Sequence, residues 1–516
     1  MVEKERVLTL LRELMAIESE TGTAKEAEAE QYLAEIIGKM EHGVQLHTFP
    51  VPEDAQGRAV ICGLLPGKKP DTVIFLNHHD VVSTEIYGPL RPLACTPNQL
   101  LQGLLSTETD PAVLADLQSG KWLPGRGSAD MKGGAAAQLA VLEAYAKQGG
   151  GDVGLLFVSL PDEEAYSAGM RAALPALRQL QQQFGLKYRA AINCEPDEKE
   201  AGKLVAFTGS VGKLLPVVLV QGKSVHVGSY RQGVNPLGVM ARIIAATEGN
   251  PALADTWEGE STPPPAWVYL RDRKEVYDVS TPQRVMACAN FLTYTKTPED
   301  LLALLTETAQ QAAQEALAQV NNGLSMEVLT SAQLLERAQN LPGFSAFYEK
   351  LLADSFAKLQ QGKSSYAQET IAVLEAVLDF TGFTQPLVLL SFAPPYYPAA
   401  NSKTVAKEDF AGLCKTLTQL TPLRFDPYFN GVSDCSYCCV DPTLDGKVLA
   451  KNMPLWGKAY SFDFPAIAQL QIPFLLLGPW GVDLHQRTER VNVESVSVTL
   501  PQLLERVLAY MAETAE

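Results

Sequence analysis

Only six histidines occur in this chain, and two of them fall where several acids can converge. His78 and Asp80 directly follow the apolar run TVIFLN (72–77). Two positions apart at a strand end, their side chains point the same way. The imidazole can then bind a metal while the carboxylate orients it from behind. His79 points to the opposite side and reads as a bystander. Glu163 and Glu164 follow VGLLFVSLPD, Glu195 follows YRAAINC, and His485 follows PFLLLGPWGVDL. Asp130 lies in GRGSADMKGG, a loop that opens a helix. Open α/β sheets gather ligands at the carboxyl ends of their strands. Four strands each delivering an acid or a histidine to that edge predict a metal site. Mixed imidazole and carboxylate ligation suits zinc, with cobalt or manganese as substitutes. Singly, each residue has a blander reading: an acid pair is commonly a solvated loop, and Asp130 could cap its helix. Their occurrence together and in this order favours the metal.

The elements that must hold these side chains follow from periodicity. Residues 7–39 carry apolar positions at helical spacing, broken by the SETGT turn. Short apolar runs then alternate with helical segments, the pattern of an α/β domain. The clearest strands are predicted at 72–77, 153–160, 188–193 and 473–478. The alanine-rich stretch MKGGAAAQLAVLEAYAKQ forms a helix ending before Gly149. From about Ser210 the character changes to a small α+β unit, with strands in VGKLLPVVLVQGKSVH, AWVYLRDRKEVYDV and QRVMACANFLTYT. Its long helix runs through PEDLLALLTETAQQAAQEALAQV, with Leu301, Leu305, Ala309, Ala312, Ala316 and Val320 along one side. The organisation expected is a larger domain from 1–210 and 331–516, with added helices at about 331–384, and an inserted domain at 211–330.

At 516 residues, at least two domains are expected. A hydrophobic share of 46% and a charged share of 20% are those of an ordinary globular protein. The formal charge of −17 argues against a nucleic-acid partner. No apolar run is long enough for a membrane span, and the N-terminal stretch lacks the h-region of a secretory signal, so a cytoplasmic location is expected. The eight cysteines then read as reduced thiols. Cys435 and Cys438 form one C-x-x-C, but without a second pair or matching histidines they read as buried small residues rather than a zinc site.

The series N-H-H-D-V-V (77–82), G-R-G-S-A-D-M-K-G-G (125–134), D-E-E (162–164), N-C-E-P (193–196) and G-P-W-G-V-D-L-H-Q-R-T-E (478–489) resembles a known family. It is the di-zinc hydrolase family of glutamate carboxypeptidase, aminoacylase and succinyl-diaminopimelate desuccinylase. G-K-S-V-H-V-G-S-Y-R-Q-G-V-N-P (222–236) is similar to the histidine motif of that family's lid. The resemblance implies a zinc-peptidase-like α/β catalytic domain, with a mixed, mostly parallel sheet and helices on both faces. It also implies an inserted α+β, ferredoxin-like lid or dimerisation domain and a homodimer. Two Zn(2+) ions are implied, with His78 and Glu195 on one, Glu164 and His485 on the other, and Asp130 bridging both. Glu163 is implied as general base, Asp80 as the support of His78, and His226 as the group that stabilises the oxyanion in the partner subunit's site. The activity implied is cleavage of an amide bond in a small peptide or N-acyl amino acid.

Departures from the family pattern bear on substrate. Asp278, in Y-D-V-S-T-P-Q, stands where the family's lids carry an asparagine, and L-T-Y-T-K lacks the lid arginine. Arg271, Arg273, Arg284 and Lys296 are candidate replacements that also read as solvated lid residues. N-G-V-S-D-C (430–435) stands for the family's G-G-T-D-A loop and keeps Ser433 and Asp434 near the site. The 331–384 segment and A-P-P-Y-Y-P (393–398) resemble the arginine-utilisation branch, which implies a role in arginine or related amino-acid catabolism. Glu195, rather than aspartate, leans by the same resemblance toward deacylases and carboxypeptidases. Two alternatives differ in class: a non-catalytic binding protein that retains the fold, and a hydrolase of esters or cyclic amides using the same metal pair.

Overall fold

The computed structural model describes residues 2–515 except 407, 442 and 445. Contacts divide the chain into two units, one of 1–210, 400–441 and 465–516, the other of 211–399 and 442–464.

The first unit is built on a nine-stranded sheet. Its strands, named here in chain order, are β1 (Gln45–Pro50), β2 (Ala59–Leu65), β3 (Asp71–His78), β4 (Gly154–Leu160), β5 (Lys187–Asn193), β6 (Lys203–Phe207), β7 (Leu423–Asp426) and β8 (Phe474–Leu476). They lie in the order β1-β2-β4-β3-β5-β8-β6-β7, and the short strand Glu198–Glu200 pairs with β6. At the centre, β4, β3, β5 and β8 run parallel. These are the four strands expected to deliver ligands. Every residue of β3 and β4 is buried, as in a parallel sheet covered on both faces. Val73, Phe75, Leu155, Phe157 and Ile192 pack with the helices Lys4–Ala16, Lys132–Lys147 and Leu500–Glu513 in one apolar cluster. Each such side chain contributes about 1.5–3 kcal/mol of burial. The helix Ala168–Phe184 packs against β1, β2 and β4 and lies outside that cluster.

The second unit has a five-stranded sheet ordered Ala266–Asp272, Arg284–Thr293, Gly212–Gln221, Leu387–Tyr397 and Glu327–Thr330. The helix Pro298–Val320 buries Leu301, Leu305, Ala309, Ala312, Ala316 and Val320, the stripe expected from its spacing. One boundary is corrected. Residues 331–399, expected to return to the larger domain, belong to the second unit. Leu387–Tyr397 pairs antiparallel with Gly212–Gln221 from Leu387↔Gln221 to Tyr397↔Lys213. The helix Tyr366–Thr381 places Ile371, Val373, Leu374, Val377 and Leu378 in a cluster with Val217, Leu219 and Leu389. Strand pairing and apolar packing thus hold the segment there. Among the described residues no helix is long and apolar enough to cross a membrane.

Candidate metal centre

Within the first unit the expected ligands meet at the carboxyl edge of the parallel strands. His78 is the last residue of β3, Glu163 and Glu164 lie three and four positions after β4, and Glu195 lies two after β5. His485 follows β8 in a loop with φ +62°. Asp130 precedes the helix Lys132–Lys147 without capping it; the N-cap is Met131, with no side-chain bond. The two carboxylate oxygens of Asp130 divide between the imidazoles: Oδ1 lies 3.3 Å from His78 Nε2, and Oδ2 lies 3.1 Å from His485 Nε2. His78 Nε2 is also 3.5 Å from Glu195 and 3.9 Å from Glu163, and His485 Nε2 is 3.2 Å from Glu164. Two groups, His78–Glu163–Glu195 and His78–Asp130–Glu164, each bring ligand atoms within 4.8 Å of one another.

The donor set fits metal ions on an observation independent of spacing. His78 Nε2, Glu164 Oε1 and Glu195 Oε1 are buried and lack a hydrogen-bond partner. Buried polar atoms are seldom left unpaired, and bound cations would satisfy all three. The carboxylates are also crowded. Burial, opposed by the His78 charge, pushes Glu195 up to about 7. Burial also raises Glu163 well above the carboxylate range, with Glu195, Asp434 and Glu164 adding repulsion against the pull of His78. Asp130 moves the other way: burial is outweighed by its bond to His485 and the nearby charge of His78. His485 is pushed up to about 10 by its bonds to Asp130 and Glu164. Burial lowers His78, but the charge of Glu195 and the close approach of the Asp130, Asp80 and Glu195 carboxylates outweigh it and raise His78 well above its ordinary value. His485 is 51% exposed while His78 is 1% exposed, so solvent reaches the site from the His485 side.

Supports surround the ligands. Asp80 Oδ1 lies 3.4 Å from His78 Nδ1, but the shorter contact of that nitrogen, 3.0 Å, is to the Asp80 backbone carbonyl. The Asp80 carboxylate accepts the backbone N–H groups of Glu163 and Glu164, both at 3.2 Å, and the Thr21 hydroxyl at 2.8 Å. It therefore fixes the turn of Glu163 and Glu164 as well as the His78 imidazole. Behind that turn, Arg58 pairs with Glu26 at 3.0 Å and Asp162 at 2.8 Å. On the other side, Glu489 pairs with Arg126 and accepts the backbone N–H groups of Ala129 and Asp130. Nothing in the local sequence pattern marks Arg126, Glu489, Arg58, Glu26 or Thr21 for these roles. The first two lie inside the quoted motifs, which is the one signal that could have marked them. Asp434 is buried near His78, Asp80 and Glu195, and burial pushes it up to about 7. Ser433 donates to Ser210 at 3.0 Å. His79 is buried against Ser159, at 3.0 Å, and Glu30.

His226 belongs to the second unit, exposed, with Nδ1 accepting the N–H of Gly228 at 3.1 Å. Asp278 pairs with Lys274 at 2.5 Å. Of the four cations weighed as replacements for the lid arginine, Arg273 pairs with Glu375, Arg284 with Asp379, and Lys296 donates to the carbonyls of Leu253 and Ala254. Arg271 is exposed on the edge strand. All eight cysteines are free thiols, Cys435 and Cys438 among them buried.

A parallel α/β sheet whose strand ends bring two imidazoles and four carboxylates together defines a metal-dependent hydrolase of the peptidase class. The sequence pattern described as "Peptidase family M20/M25/M40" matches residues 111–376, more than half the chain. The chain is 32% identical to "Uncharacterized protein YqjN" of Bacillus subtilis (strain 168), over 99% of its own length and 97% of that protein's. It is 27% identical to "Protein RocB" of the same organism, over 99% and 95%. Among solved structures it shares the fold of a tripeptidase from Staphylococcus aureus, with a TM-score of 0.57, 15% identity, and coverage of 99% of this chain and 100% of that one. The chain belongs to peptidase family M20/M25/M40, in the branch of RocB and YqjN.

Proposed function

We propose that the protein hydrolyses an amide bond in a small peptide or N-acyl amino acid, using two zinc ions held by His78, Asp130, Glu164, Glu195 and His485. The observation that carries this reading is the division of Asp130, one oxygen facing each imidazole at 3.3 and 3.1 Å. His78 and Glu195 would hold one ion, Glu164 and His485 the other, with Asp130 between. When bound, the pair would lower the pKa of water and polarise the scissile carbonyl.

The remaining steps fall to the chain's own groups. Glu163 accepts the proton of the attacking water and delivers it to the leaving amine. Asp80 positions both the base and His78 through the bonds described above. His226 is assigned to the developing oxyanion, acting from the partner subunit of a homodimer. The edge strand Ala266–Asp272 supports that assembly, because Val268 and Leu270 are 59% and 53% exposed on a free sheet edge. The resemblance to the arginine-utilisation branch favours substrates built on arginine or related amino acids, and the free thiols fit a cytoplasmic setting.

The test separates the base from the ligands. Glu163→Ala should retain the metal content of the native enzyme and lose nearly all hydrolysis of dipeptides and N-acyl amino acids, arginine derivatives included. Normal turnover in that variant would overturn the assignment.

A further inference from the structure

The loop carrying Asp130 and the loop carrying His485 are tied together by a buried ion pair that takes no part in ligation. Arg126 and Glu489 are 1% and 0% exposed and 2.6 Å apart. Taking two such charges out of water is costly, and removing one partner strands the other. Here each member of the pair also grips the backbone of a ligand residue. Glu489 Oε1 accepts the N–H of Ala129 at 3.3 Å and of Asp130 at 3.2 Å. Arg126 Nη2 donates to the carbonyl of His485 at 3.3 Å and to that of Ser83 at 3.4 Å.

We propose that Arg126 and Glu489 are positioning residues that set the separation of the two metal subsites. The inference rests on the two-ion reading above. Asp130 can serve both ions only if its carboxylate stays centred between His78 and His485. His78 needs no such help, since it ends a fully buried strand. His485 sits in a loop, half exposed, and its backbone is held from within by Arg126. Loss of the pair therefore falls on the Glu164–His485 subsite and spares the His78–Glu195 one. The outside of the loop is tied separately, by Arg487 to Glu108 at 2.7 Å and Arg490 to Asp116 at 2.6 Å, so its fold does not depend on this pair alone.

The experiment titrates metal-stripped full-length protein with Zn(2+) by calorimetry, and with Co(2+) by visible absorption, for the native chain, Glu489→Gln and Arg126→Lys. The Arg126→Lys variant keeps a cation beside Glu489 but lacks the fork to His485. The native chain should bind two ions. Both variants should hold the first ion within a few-fold of native, while the second is weakened about 10–100-fold, the usual effect of losing an outer-shell contact. In hydrolysis kcat should fall and KM should not, and high metal concentration should restore kcat. Equal weakening of both ions, or of neither, would reduce the pair to a structural staple and overturn the proposal. A native chain that binds fewer than two ions would instead sink the two-ion reading itself. If Glu489→Gln does not fold, Arg126→Lys alone decides.

Discussion

Glu163 and Glu164 are neighbours with one shared anchor, the Asp80 carboxylate, yet their side chains serve different partners. Glu164 lies 3.2 Å from His485 and Glu163 3.9 Å from His78. Both carboxyls are raised, chiefly by burial, and both imidazoles are raised despite it. Without metal, the site therefore holds protons at neutral pH. Ligation needs neutral imidazole and ionised carboxylate, so binding must expel them. Calorimetry at pH 7 in buffers of different ionisation enthalpy should show net proton release on adding Zn(2+), and apparent affinity should rise with pH toward the His485 value of about 10. The sign for stability is opposite in the stripped protein. Groups with raised pKa bind more protons folded than unfolded, so its stability falls as pH climbs from about 5 toward 9. Metal binding that released no protons would contradict the proposed ligand set.

At the scale of elements, the site exists because loops after β5 and β8 nest backbone against backbone. Gly478 makes this possible: a Cβ there would lie 1.8 Å from the Glu195 carbonyl oxygen. Gly134 plays the same part for the helix Lys132–Lys147, whose added Cβ would lie 2.3 Å from the Cys194 carbonyl oxygen. Because rigid backbone cannot yield, Gly478→Ala should displace Glu195, reduce bound metal and cost at least about 1–3 kcal/mol in denaturant unfolding. A native metal content with unchanged stability would show the loops to be looser than this packing. Much of the arrangement was legible beforehand, since residues at strand ends share an edge whatever the tertiary detail, and His78, Glu164, Glu195 and His485 all follow apolar runs. The second unit's extent was not. Leu387–Tyr397 reads as the same buried strand whichever sheet it joins, and only its pairing with Gly212–Gln221 decides. Arg126 and Glu489 are separated by 363 positions, and local pattern carries no sign that two charges so far apart meet in the core.

For the molecule as a whole, the proposal to test is that His226 supplies the oxyanion group from a partner chain. His226 lies in the second unit, and its exposed loop carries Val227 and Tyr230 and is bonded to Val279, which are 39–52% exposed. So much apolar surface around one imidazole fits a partner better than open solvent. A closed twofold dimer would set each chain's His226 loop against its partner and complete both sites at once. Complementation tests this directly. His226→Ala and Glu163→Ala homodimers should each be nearly inactive while retaining metal. After the two are mixed and exchanged, half the dimers carry one of each chain. In the proposed arrangement one of their two sites has both an intact Glu163 and an intact His226 from the other chain. Activity should then recover to roughly a quarter of native. Lysine at Val268 and Leu270 should leave each chain's metal content unchanged, shift sedimentation to the monomer and abolish that recovery. If mixing restores nothing while exchange is verified, His226 acts within its own chain or not at all.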